Sequence, residues 1–179
     1  MTWDEQLFSL FDDLEGQAES AYHLDRELEA ADRAQAEYAA VTLAGRLQAG
    51  VGSQVSLQVL GVGPLNGVLA RVASGWCLVE AHGSEWILRV AALESVRGLP
   101  PRAVPEQAWP VTAQVGLGSA LRRLADARSA VQFRLVDGGQ VEVRRVDRVG
   151  EDFVEALVGE SHEPVLHAFS ALAAIQSRH

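Results

Sequence analysis

The chain has 179 residues, 48% of them hydrophobic and 22% charged, with a formal net charge of −9. This composition excludes a disordered chain and is sufficient to bury one core or two small ones. No apolar run reaches the roughly 18 residues of a membrane span, and the start MTWDEQ lacks the pattern of a signal peptide. The single cysteine, Cys77, excludes an internal disulfide. We therefore expect a soluble, cytoplasmic protein with no membrane partner.

The negative charge is concentrated at the start of the chain. Residues 1–48 hold eleven acids and three arginines, whereas the rest holds thirteen acids and twelve arginines. Because nucleic-acid affinity depends on neutralising phosphates, this distribution disfavours a nucleic-acid partner without excluding one.

Residues 1–48 are predicted to form one long acidic amphipathic helix. A seam of three- and four-residue steps runs from Trp3 to Tyr38, and Thr2 with Glu5 resembles a capping box at its start. A rod of this length cannot bury its stripe against one small domain, so we predict self-association or capture of a protein partner through it. The alternative is a solvated helix whose last turns cover the next domain. The predicted helix interface consists of apolar residues near the N-terminus, namely Trp3, Leu7, Leu10, Phe11, Leu14, Ala21, Leu24 and Leu28.

Residues 49–98 are predicted to form five short strands. Val55, Leu57 and Val59 alternate with polar residues, as in a strand buried on one face. Four further apolar runs follow, separated by short breaks: Gly67–Val72, Trp76–Glu80, Glu85–Val90 and Leu93–Val96. This spacing indicates a small, strongly bent antiparallel barrel, in which Gly67 allows a sharp bend.

Residues 116–179 repeat this order after a short helical segment, LGSALRRLADA. Ile87, Leu93 and Val96 correspond to residues 79 positions later, and earlier positions correspond at offsets of 76 and 77. The proline-rich residues 99–115 form a stiff linker, in which Trp109 is interpreted as an anchor against a barrel. The predicted fold is thus mainly β with a long N-terminal α-helix and two tandem five-stranded small barrels, each preceded by a helix.

The second strand carries G-x-L-x-x-V at Gly67, Leu69 and Val72, and VAALESV leads into the fifth strand. With a helix before five short strands, this pattern resembles the Sm-like and SH3-like small-barrel proteins, as in an actinobacterial group often labelled Fis family transcriptional regulators. The resemblance implies two tandem Sm-like folds. It does not extend to the RNA site of Sm-like proteins, because Leu88, Arg89 and Val90 keep only the arginine of that family's tripeptide.

No catalytic, metal or cofactor site is predicted. The five histidines are scattered, Cys77 has no thiol partner, and Ser119 in GLGSA is typical of a helix start. One arginine-rich segment, with seven arginines and four acids between 122 and 148, is a candidate surface for an anionic partner, and a salt-bridged solvated face is its alternative. Its arginines are Arg122, Arg123, Arg128, Arg134, Arg144, Arg145 and Arg148. We therefore predict a non-catalytic protein-interaction or assembly protein, or alternatively an RNA- or DNA-binding regulator acting through these arginines.

Overall fold

The structure, a computed structural model, describes Tyr22, Arg26 and residues 29–160 and 163–177. Residues 29–39 are helical (α1), as are Tyr22 and Arg26. A second helix, α2 (Leu43–Ala49), begins at Thr42, whose side-chain oxygen accepts a hydrogen bond from the Gly45 N–H. A third helix, α3, spans Leu117–Asp126.

The prediction of one long helix reaching Leu47 is wrong. The chain turns at Ala40 and leaves the helical conformation at Val41 and Thr42 before α2 begins. The apolar seam ends at Tyr38, before this break, and its next two steps would fall on Thr42 and Gly45. A threonine that caps a new helix ends the regular hydrogen bonding of the previous one, because its own backbone is extended.

Ten antiparallel strands form one open sheet. In the first half of the repeat they are β1 (Gln54–Val59), β2 (Gly63–Ala73), β3 (Trp76–Ala81), β4 (Ser84–Arg89) and β5 (Leu93–Arg97). In the second half they are β6 (Val131–Leu135), β7 (Gln140–Val149), β8 (Phe153–Val158), β9 (Pro164–Ala168) and β10 (Leu172–Ser177). The strand order is β5-β1-β2-β3-β4-β10-β6-β7-β8-β9, so β5 and β9 are the two outer strands.

The two halves repeat each other in the register of their ladders. Leu57 lies opposite Val96 in the first half, and Phe133 lies opposite Ile175 in the second. Each half also has a single 3-10 turn before its last strand, Val90–Ala92 in one and Phe169–Ala171 in the other. The predicted correspondence of strand positions therefore appears directly in the hydrogen-bonded pairs.

The prediction of two separate five-stranded barrels is wrong. Strand β4 does not close on β5 of its own half but pairs with β10 of the other half, and the resulting sheet stays open. An unpaired edge strand offers the same backbone groups to any partner strand. Alternation along β4 therefore specifies its buried face, and tertiary packing decides which strand lies beside it.

The two hydrophobic cores share residues across the join. Ala173 and Ala174 of β10 are fully buried in the core of the first half, and Ala73 and Trp76 belong to the core of the second half. The described residues from Thr42 onward accordingly form one compact unit, and the residues before Thr42 are a separate one.

The segment between the halves crosses the molecule with two 3-10 turns, Glu106–Ala108 and Val111–Ala113. Trp109 is buried in the first core, and its indole N–H donates to the Val104 carbonyl over 3.0 Å. Trp109 thus packs into the first core, whereas the separate barrel that it was predicted to anchor is replaced by one half of the continuous sheet. No helix within the described part of the chain has both the length and the apolar character needed to span a membrane.

Candidate functional site: the two edges of the sheet

The join between β4 and β10 shows how a strand edge of this protein looks when it is covered. Three pairs define its register: Leu88 opposite Ala174, Ile87 opposite Ile175, and Trp86 opposite Gln176. On β4, Leu88 is fully buried and Trp86 is 7% exposed. Both partners therefore contribute apolar side chains, and the buried surface adds to the backbone pairing.

Arg89 strengthens this join at one end. Its guanidinium donates to two carbonyls of the other half, those of Ser170 at 3.0 Å and Leu172 at 2.8 Å. At the other end, the backbone N–H of Glu85 donates to the Ser177 hydroxyl over 2.9 Å. Hydrogen bonds from a charged donor are stronger than neutral ones, so Arg89 fixes the position of β10 along β4.

Strand β9 is the counterpart of β4, but no strand among the described residues lies beside its outer edge. Val165 and Leu166 are 44% and 61% exposed. They occupy the positions of Trp86 and Ile87, since Val165 pairs with Ala156 of β8 as Trp86 pairs with Val79 of β3. Apolar side chains that a neighbouring strand covers on β4 are therefore exposed at the matching positions of β9.

His167 occupies the position of the buried Leu88. Its ring lies edge-on to Phe133, with the ring centroids 5.5 Å apart, and its Nε2 is buried with no hydrogen-bond partner among the described residues. Desolvation by burial lowers the pKa of His167 below its ordinary value. A neutral imidazole at this position leaves β9 without a charged side chain at neutral pH.

Strand β5 is the other outer strand, and its side chains are more polar than those at the matching positions of β10. Its counterpart on β10 has alanines at positions 173 and 174, whereas β5 has Glu94 and Ser95, both exposed. A groove of about 290 Å³ lies along β5, lined by strand residues and by Leu43 and Arg46 of α2. The β5 edge is therefore charged and polar where the covered strand is apolar.

The structure brings together some of the arginines of the predicted arginine-rich surface. Helix α3 packs against β7, so Arg122 and Arg123 lie on an element adjoining the one that carries Arg144, Arg145 and Arg148. These five side chains and Arg128 are exposed, and Arg145 pairs with Asp147 at 2.8 Å. Arg134 is separate in character, since it is partly buried and its guanidinium lies 5.9 Å from the centre of the Trp86 ring.

A cleft of about 520 Å³ lies between the outer face of β3 and β4 and helix α3. Leu78, Ile87 and Leu124 supply apolar lining, with Glu85 and Arg123 among the charged residues. The Trp76 indole N–H donates to the Val115 carbonyl over 2.8 Å and holds the inter-half segment at its side. This cleft forms because the halves join edge to edge, so alternation in the sequence could not have predicted it.

The predicted helix interface, Trp3 to Leu28, lies outside the described residues. In α1, every described side chain is exposed, including Tyr38 at 63%. The alternative, in which the last helical turns cover the next domain, applies to Leu47, which is fully buried in the first core.

The described residues contain no group of three or more His, Cys, Asp or Glu side chains that could hold a metal ion. Cys77 is buried, and desolvation raises the pKa of its thiol to about 12. A thiol that stays protonated at neutral pH is a poor nucleophile.

No protein-family model matches the chain, and no curated protein matches it. The resemblance to Sm-like and SH3-like proteins therefore stays a prediction.

The exposed β9 edge is the feature that sequence reasoning missed. The sequence did contain a signal: PVLHA has no acid, lysine or arginine, whereas the other candidate edge, LESVR, has Glu94 and Arg97. That signal becomes meaningful only once both segments are known to be outer strands.

Proposed function

We propose that this protein is a non-catalytic assembly protein that associates with copies of itself. The observation that supports this most directly is β9, an outer strand that exposes Val165 and Leu166 while its counterpart β4 is covered by a strand. Exposed apolar edge strands are sites of strand addition.

The N-terminal segment is a second contribution to the same function. The seam from Trp3 to Tyr38 has the spacing of a self-associating helix.

Sedimentation velocity of the full-length chain over a wide concentration range tests the proposal. We expect the weight-average mass to rise above that of one chain as the concentration increases. A sedimentation coefficient that stays that of a monomer throughout would overturn it.

A second candidate is binding of an anionic partner, RNA or DNA, by the arginine-rich surface. Packing of α3 against β7 supports it, since this places exposed arginines on adjoining elements. Such binding is strongest at low salt, because phosphate contacts release counterions. Gel shifts with RNA and DNA at low and high salt test this candidate, and no shift at low salt would exclude it.

A further inference from the structure

The two outer strands of the sheet differ in how they are protected against another strand. On β5, Glu94 occupies the position that Ala173 of β10 fills inside the first core. A strand joined to β5 in the way that β4 joins β10 would enclose this carboxylate in an apolar core. Inward charges of this kind protect sheet edges, because burying an unpaired charge is costly.

Two features at the end of β5 also limit its pairing with another strand. Arg97, its last residue, is charged and exposed. Gly98, which follows, has a φ of +92°, a conformation that L side chains rarely adopt, so the extended backbone stops there. The β5 edge therefore does not extend the sheet.

The β9 edge lacks such protection. Its five residues contain no acid or arginine, and His167 is neutral at physiological pH because its pKa is lowered. Pro164, which has no N–H, is its first residue, a position where proline is tolerated in strands. Residues 165–168 all lie in the ladder with β8, so alternate residues among them direct their backbone N–H and C=O groups towards the outer edge.

We propose that β9 pairs antiparallel with β9 of a second copy, about a two-fold axis at Leu166, to form a closed dimer with a continuous sheet. This inference rests on the proposed function and specifies its partner. In this register Leu166 lies opposite the partner's Leu166, and Val165 lies opposite the partner's His167. Because the protected β5 edges lie at both ends of the joined sheet, strand addition stops at two copies, as in an isologous interface.

Repulsion between the arginines of the two copies does not prevent this pairing. Strand β7, which carries Arg144, Arg145 and Arg148, is two strands in from β9. At about 4.8 Å per strand, the arginines of the two copies would lie roughly 24 Å apart across the join. This separation exceeds the Debye length of about 8 Å at physiological salt, so their repulsion is largely screened.

A charge at the centre of the join tests the proposal. In full-length Leu166→Lys, two ammonium groups would face each other, and we expect at least a tenfold weaker self-association. The matched control is Val111→Lys, which adds the same charge at a side chain that is 81% exposed and lies outside the sheet. At a concentration low enough for the wild type to be monomeric, both variants should keep the wild-type urea midpoint, since neither residue is buried within one chain, and this measurement excludes loss of folding as the cause.

Cross-linking tests the register. Directly opposite residues in antiparallel strands have Cα atoms about 4.5–5.5 Å apart, within the range of a disulfide. Oxidation of Leu166→Cys should therefore give a covalent dimer, and Val111→Cys should remain a monomer on a denaturing gel. Cys77 is buried and does not compete.

The double variant Val96→Cys/Leu166→Cys distinguishes this dimer from a head-to-tail chain. The pairing of Ile87 with Ile175 at the internal join, transferred to the outer edges, would place Val96 opposite Leu166 of the next copy. The proposed dimer predicts one cross-linked band of two chains, and a ladder of larger products would overturn it.

The same experiments separate this inference from the proposed function. A monomeric wild-type protein would overturn both. A wild-type oligomer that Leu166→Lys leaves intact and Leu166→Cys does not cross-link would overturn only the β9 pairing, and would place self-association elsewhere in the chain.

Discussion

Strands β4 and β9 hold the same place in the two halves of the repeat, yet one is buried at the centre of the sheet and the other is its outer edge. Trp86 on β4 is almost fully covered, whereas Val165 at the matching position of β9 is not. The difference does not come from the strands themselves, since both pair with their preceding strand in the same register. It comes from the neighbour, because β10 lies beside β4 and the described chain places no strand beyond β9.

The covered and uncovered edges can be compared most sharply at Ala174 of β10 and Ser95 of β5, which occupy equivalent positions. Ala174→Asp would place a carboxylate among fully buried apolar residues, and we expect a loss of about 3–5 kcal/mol in the free energy of unfolding. Ser95→Asp, at an exposed position, should change it by less than about 0.5 kcal/mol. Urea denaturation measures both, and equal effects would contradict the assignment of β10 as the covered strand.

The arginine at the join offers the next largest effect. Arg89→Ala removes two charge-assisted hydrogen bonds to carbonyls of the second half, and we expect a loss of about 1–3 kcal/mol. Arg97→Ala, on the exposed outer strand, is the matched control and should lie within about 0.5 kcal/mol of the wild type. Should the two variants show the same urea midpoint, Arg89 would contribute nothing to holding the halves together.

Thiol reactivity compares Cys77, which lies in the first core, with a cysteine introduced on the β9 edge. Burial raises the pKa of Cys77 to about 12, so it should stay unreactive towards a thiol reagent such as DTNB at pH 8 while the protein is folded. The Leu166→Cys protein should first be reduced and then freshly desalted at low concentration. One thiol per chain should then react rapidly with DTNB. Rapid reaction of the wild-type protein at pH 8 would show that the first core opens readily.

The smallest expected effect is a pH dependence from His167. Burial lowers its pKa in the folded protein, so the unfolded chain takes up a proton more readily than the folded one. The contribution of this residue is present above the unfolded value of about 6.5 and is lost as the pH falls below it. The urea midpoint of the wild type should therefore fall slightly more between pH 7.5 and pH 5.5 than that of His167→Leu, and an identical fall in both proteins would contradict this.

Prediction from the sequence succeeded where neighbouring residues decide the outcome. The alternation at Val55, Leu57 and Val59 placed β1, and Gly67, predicted to allow a bend, lies within β2 where an added Cβ would collide with the Glu80 carbonyl. It failed at Thr42, where a single capping residue separates two helices that the sequence analysis joined into one.

The candidate site was predictable only in part. The arginine-rich segment was visible as a run of charge, but that α3 packs against β7 is a tertiary fact. The β9 edge carried only the weak signal of five uncharged residues, because a strand's sequence states which face is buried and not whether its edge is paired.

The sequence by itself determined ten strands in two repeating sets, their hairpin neighbours and their buried faces, because these follow from side-chain alternation and short turns. Only the tertiary structure decided that β4 joins β10 and that β5 and β9 remain outside. The physical reason is that backbone hydrogen bonds at a strand edge are alike in every strand. The choice among partners therefore depends on which side chains, such as Ala173, Ala174 and Arg89, come together after the chain has folded.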